Sequence, residues 1–151
     1  MRGFTRKRIK VSPNFYLDEF MDPDTYKKFG ELSIWFLDPR IIPIAQLLRN
    51  VAGTPVIINS WFHGGGFTES GFRRPATRTG GYLSQHKFGR AIDVKVNDKD
   101  PDEVMELIHF HQEKFMKLGL TTLEHTDFTP TWNHLDCRFT EMKELFIVKP
   151  R

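Results

Sequence analysis

Ser84-Gln85-His86-Lys87-Phe88-Gly89-Arg90-Ala91-Ile92-Asp93 is the stretch on which the reading of this chain turns. It sets an imidazole and a carboxylate seven residues apart. Between them Gly89 lets the backbone turn, and from Ala91 an apolar, strand-like run begins. A neutral histidine nitrogen and a carboxylate oxygen are both good zinc ligands, and a turn followed by a strand can aim two such side chains at one point. The stretch is therefore half of a metal site. Half a site binds weakly, so a working centre needs a third ligand and a proton-transfer group from elsewhere in the chain.

At 151 residues the chain is long enough for one domain with a hydrophobic core, and nothing suggests a second. Hydrophobic residues at 39% and charged residues at 27% place it among ordinary soluble globular proteins. The formal charge is only +3, and much of the excess sits in Arg2, Arg6, Lys7, Arg8 and Lys10. Residues 1–14 therefore read as a solvated basic arm and residues 15–151 as the domain; an anionic partner for the arm is the alternative. The single Cys137 excludes an intrachain disulfide and a cysteine-rich zinc site. The N-terminus carries no apolar signal region, and no run approaches the roughly 18 apolar residues of a membrane span. The expectation is a protein made in the cytoplasm without a signal peptide.

Phe15, Leu17 and Phe20 alternate with polar positions in a short element that docks on the core. Asp22-Pro23 starts a helix that stops at Gly30. A stronger helix has Asp38 as N-cap and Pro39 in its first turn, with Ile41, Ile44, Ala45 and Leu48 at helical spacing until Gly53; Pro43 predicts a shifted or bent start. Residues 54–60 are β-branched and continuous in their apolar residues, as in a strand buried on both faces. Residues 61–83 form a long glycine-rich segment whose aromatic and basic content predicts an ordered binding loop. No phosphate-binding glycine pattern is present there, so no nucleotide is expected.

Beyond Asp93, residues 91–96 read as a strand and Asp100-Pro101 opens a helix running to Gly119. His111 lies on its apolar stripe as a core residue, with His109 on the surface; two residues apart, they cannot chelate one ion. Short strands follow at 120–124, 131–138 and 145–148. In the middle one, Trp132, His134, Asp136 and Arg138 share one face by the two-residue period, with Asn133, Leu135 and Cys137 on the other. Such residues beside a tryptophan fit a polar, functional cleft, the alternative being a solvent-facing strand surface. Cys137, pointing away from His134, reads as a small core side chain.

Ser84, His86, Gly89, Ala91 and Asp93 meet the pattern S-x-H-x-x-G-x-A-x-D in full, and Trp132, His134 and Asp136 match an aromatic before H-x-D in a late strand. In these motifs the chain resembles the zinc D-Ala-D-Ala carboxypeptidases and phage endolysin peptidases, whose fold is shared with the VanX dipeptidases and the hedgehog signalling domain. The similarity extends to Asn14–Phe20 and to the helix and strand before the loop, and so covers nearly the whole chain. It implies an α+β single domain with a small, mostly antiparallel sheet and helices packed on one side. It also implies zinc (Zn2+) held by His86, Asp93 and His134, with an open position for water.

A carboxylate base should take the water's proton and pass it to the leaving amine. Many members of the family carry it three residues before the last histidine, where this chain has Thr131. Glu124, Asp127 and Asp136 remain; Glu124 at a strand end is favoured, and Asp136 suits the orientation of a ligand or an arginine. His125 is either an oxyanion donor or a surface turn residue. The family's loop arginine falls near His63, so Arg73 is the substitute for binding a substrate carboxylate, with Arg74 and Arg78 as alternatives. Ser84 is expected to hydrogen-bond within its motif. The resemblance thus implies a zinc metallopeptidase, a hydrolase cutting peptidoglycan stem peptides in cell wall degradation and encoded by a bacteriophage or prophage. The alternative is a non-catalytic metal-binding virion or wall-binding protein on the same scaffold. The expected partners are a peptidoglycan peptide and virion proteins, with no nucleic acid.

Overall fold

Each longer helix begins where a side chain or a proline deals with the first backbone amides. The computed structural model describes residues 7–150. Helix α1, Pro23–Phe29, is capped by Asp22, whose carboxylate accepts from the Asp24 and Thr25 amides. Helix α2, Ile41–Ala52, begins two residues later than Asp38-Pro39 predicts. Asp38 Oδ1 accepts from the Arg40 N–H at 3.0 Å and the Asp38 carbonyl from the Ile41 N–H at 3.1 Å. The shift puts Pro43 in the first turn, where its missing N–H removes no helical bond. Gly53 then closes the helix in the left-handed conformation.

Residues 54–60 differ from the expectation of a fully buried strand. Only Val56–Ile57 pairs, as β1, and it lies at the edge of the sheet with Ile57 exposed. The apolar run reflects a buried Val56 and Ile58 flanking an outward residue rather than a central strand. Strand β2, Ala91–Val96, has the expected bounds. The helix after it is two pieces, α3 at Pro101–Phe110 and α4 at Gln112–Lys117. Asp100 and Glu103 form a reciprocal capping box at its start. His111 stands at the break, with φ −105° and ψ 20°, its N–H shared between the Leu107 and Ile108 carbonyls. It is half-buried there, not a core residue as the stripe predicted, and His109 is exposed.

Strands β3 (Thr122–Glu124), β4 (Asn133–Asp136) and β5 (Phe146–Val148) complete a five-stranded mixed sheet in the order β1-β2-β4-β3-β5. Only the β3–β5 pair is parallel. With the four helices this makes a single small α+β domain. Ile92 pairs with Leu135 and Val94 with Asn133, on the face where α2 packs against β1 and β2, and α3 against β4. The two helices also touch each other, so they share that face. By the two-residue alternation, Asp93 and its partner His134 point to the other face.

From Arg8 onward the chain before α1 is tied to the domain. Phe15, Leu17 and Phe20 are fully buried, as their alternation predicts. Asp18 is buried beside them and needs a charged partner there; Arg8 supplies it with two hydrogen bonds of 2.9 and 2.7 Å. Arg8 of the basic stretch is therefore fixed to the domain, whereas Arg2 and Arg6 lie outside the described residues.

Candidate metal centre

Ser84 opens a 3₁₀ turn, Gln85–Phe88, that ends at Gly89 with φ +69°. A Cβ at Gly89 would lie 1.8 Å from the Phe36 carbonyl oxygen, so both the backbone angle and the close approach require glycine. The turn points His86 inward while β2 presents Asp93, and the β2–β4 register sets His134 directly opposite Asp93. His134 Nδ1 is 2.9 Å from Asp93 Oδ1, His86 Nε2 is 3.2 Å from the same oxygen, and the two nitrogens are 3.3 Å apart. The Ser84 hydroxyl, expected to bond within the motif, does not cap the turn; its backbone does the work of opening it.

The other nitrogen of each ring is already committed. His86 Nδ1 donates to the Gly71 carbonyl at 2.8 Å, and His134 Nε2 donates to Asp136 Oδ2 at 2.8 Å. In the neutral rings these bonds set the tautomers so that His86 Nε2 and His134 Nδ1 turn lone pairs toward Asp93. Three acceptor atoms converging within 4.8 Å repel one another unless a proton or a cation lies between them. Ligands at zinc–nitrogen lengths on a tetrahedron lie about 3.3 Å apart, close to the separations here. Residues His86, Asp93 and His134 thus form a buried group that could hold a metal ion, and their N, N and O donors suit zinc.

Electrostatics of the group follow from burial and the two aspartates. Burial pushes His86 below the ordinary histidine range, against the pull of Asp93. His134 is equally buried, but its bonds to Asp136 and Asp93 outweigh that cost and its pKa is pushed up to about 9. Burial likewise works against Asp136, yet His134 and Arg138 hold it down at about 2. In the metal-free chain His134 is therefore protonated at neutral pH, which contributes stability fully below pH 6.5 that is lost as pH rises through about 9. A metal must displace that proton. Apparent zinc affinity should then rise about tenfold per pH unit between roughly pH 6.5 and 8 and level off above 9. Competition titrations against a zinc chelator at several pH values check this; a flat profile would show that no proton leaves on binding.

Of the other expected site residues, Glu124 and Arg73 line the same cleft, a space of about 410 Å³ bounded also by Trp132 and Arg138. Glu124 ends β3 half-buried, and among the described residues no hydrogen bond or ion pair engages its carboxylate. Burial raises its pKa above the ordinary glutamate range. Arg73 is less available than a substrate clamp would be: its Nη2 donates to Asp93 Oδ2 at 2.9 Å and its Nε to the Glu69 carbonyl at 2.6 Å. Asp136 is fully buried behind His134 and is braced by Arg138, so it orients the His134 ring and stands outside the cleft.

The remaining candidates lie elsewhere. Asp127 is exposed in its turn beside His125, whose Nδ1 accepts from the Asp127 N–H at 3.2 Å. Arg74 pairs with Asp22 and Asp24, and Arg78 and His63 are exposed. Cys137 is buried, with its thiol pushed up to about 12 by that burial.

Gly71 is the participant that sequence reasoning missed. A Cβ there would lie 2.3 Å from the Phe20 carbonyl oxygen, so glycine lets the loop press against the buried Leu17–Phe20 segment and hold its own carbonyl at His86. Asn59 pins the same loop, accepting from the Ser70 N–H at 2.8 Å and donating to the Met21 carbonyl at 3.0 Å. The segment 61–83 is thus an ordered wall of the site. Beyond Asp93 and Trp132 the cleft adjoins a more apolar hollow of about 240 Å³ bounded by Ile57, Phe67 and Val94. Among family models, characterised proteins and solved structures, none matches this chain.

Proposed function

We propose that the protein is a zinc-dependent peptidase acting on peptidoglycan stem peptides, on a scaffold of the hedgehog and D,D-peptidase kind. The observation that carries the reading is the pairing, in one cleft, of the His86, Asp93 and His134 group with the unengaged carboxylate of Glu124. Three N and O ligands leave room for a fourth position, the arrangement of catalytic rather than structural zinc. Zinc so bound supplies Lewis acidity to a peptide carbonyl and to a water nucleophile.

The chain's own groups divide the remaining work. Glu124, a base strengthened by burial, receives the proton from the attacking water and returns it to the leaving nitrogen. Arg73 holds Asp93 in place through Oδ2 and leaves Oδ1 for the metal. Trp132 walls both hollows, where it can lie against a bound peptide and keep bulk water out. The peptidoglycan assignment rests on the likeness of the two motifs to the endolysin and carboxypeptidase family. The non-catalytic reading, a virion or wall-binding protein, is favoured by one observation: Arg73, the arginine expected to bind a substrate carboxylate, is spent on Asp93.

Digestion of purified muropeptides separates the two. With one equivalent of zinc, cleavage is expected, to be suppressed by a chelator and restored by added zinc. Zinc-loaded protein that leaves every muropeptide intact would favour the binding protein.

A further inference from the structure

The 3₁₀ segment Gly30–Phe36 carries an apolar surface that the rest of the fold leaves uncovered. It buries only Ser33. Trp35 is 78% exposed, Leu32 46%, and Phe29, Ile34 and Phe36 are each 39% exposed. The patch is firmly mounted, because Phe36 stacks on Phe72 at 5.3 Å and Phe29 meets Phe36 edge-on at 5.1 Å. Phe88, 52% exposed, extends it: the Asp38 N–H donates to the Gly89 carbonyl at 2.9 Å, which brings the end of the metal-site turn against the end of this segment.

Cations rim the patch. Lys27 and Lys28 close α1 beside Phe29, with Lys28 Nζ 5.2 Å from the centre of its ring. Lys87 precedes Phe88, and the Arg90 guanidinium lies 5.1 Å over that ring. On a further side Glu31 shares a hollow with Lys7, Arg8 and Lys10. Of the neighbouring acids, Asp24 pairs with Arg74 and Asp38 with Arg40, while Glu31 shares the lining of that hollow with the basic residues.

We infer that this face seats the protein on an anionic lipid bilayer. The aromatic and aliphatic side chains enter the headgroup boundary and the lysines meet lipid phosphates. A polyanion in water would engage the lysines but leave Leu32 and Ile34 without a partner. A second copy would set two like-charged rims against each other. None of the patch residues is a metal ligand, so this docking stands apart from the peptidase reading.

Co-sedimentation of the full chain with vesicles tests it. Binding to vesicles of equal parts phosphatidylglycerol and phosphatidylcholine should be about tenfold or more tighter than to phosphatidylcholine alone. The double variant Leu32→Ser with Trp35→Ser should weaken binding about tenfold, and Lys27→Glu with Lys28→Glu should remove most of the preference for the anionic lipid. All four positions lie on the surface around the patch, and an unchanged melting temperature verifies folding. No binding to the anionic vesicles, or equal binding by both double variants, overturns the inference. So does self-association without lipid that Trp35→Ser abolishes, or oligonucleotide binding that replaces vesicle binding.

Discussion

Glu124→Gln is expected to lower muropeptide hydrolysis by about 10²–10⁴-fold while leaving about one zinc per chain. Glutamine keeps the shape of the side chain and its place at the end of β3, where Glu124 is paired with Val148, but it cannot take a proton from water. The wild-type carboxyl is raised chiefly by burial; His134 and Arg138 pull it down, and the negative Asp93 and Asp136 push it up again. A base so placed is stronger than a solvated glutamate, and its loss should fall on turnover more than on substrate binding. Metal content and steady-state cleavage measured on the same sample make the comparison. Hydrolysis undiminished in a fully zinc-loaded variant would remove Glu124 from this role and leave the cleft without an evident base.

His86→Ala is expected to reduce bound zinc from about one per chain to below about a tenth, and to abolish activity with it. The wild type should gain about 2.7 kcal/mol of stability when free zinc stands at 100 times its dissociation constant, and the variant should gain none. His86 also satisfies the buried Gly71 carbonyl, so the metal-free variant should itself lose about 1–3 kcal/mol. Asp136→Asn gives the graded comparison: all three ligands remain, but the group that orients His134 and draws its Nε2 proton is weakened. A loss of about 10–100-fold in zinc affinity is expected for it. Elemental analysis with chelator competition, alongside thermal unfolding at several zinc concentrations, tests both variants. Stoichiometric zinc in folded His86→Ala would show that the metal is held elsewhere.

Much of the secondary structure was readable because its signals are local. Asp22, Asp100 and Glu103 satisfy helix amides within three residues of themselves, and Gly30 and Gly53 stop helices by their own backbone angles. Residues 91–96 became a strand with the expected bounds for the same reason. The run 54–60 misled because continuous β-branched residues do not distinguish an edge from a centre; only the neighbours taken up by the sheet do. His111 misled because helical spacing continues through a break that the backbone makes. Arg73 was readable as a site residue but not as a brace for Asp93, since its partner lies 20 residues away.

The motif Ser84–Asp93 settled the local chemistry: a glycine-ended turn, an inward histidine, and a strand bearing a carboxylate. Period-two alternation likewise put His134 and Asp136 on one face of a late strand. That His134 meets Asp93, 41 residues away, depended on the β2–β4 register, which a slip by one residue would turn to the helix-covered face. Register comes from packing Ile92, Val94 and Leu135 into the core, a cooperative property of the whole domain. The same packing pressed Gly71 onto Phe20 and its carbonyl onto His86, and left Glu124 facing the cleft. Ligand types are written in single residues; their convergence is decided by the long-range contacts that the folded chain alone provides.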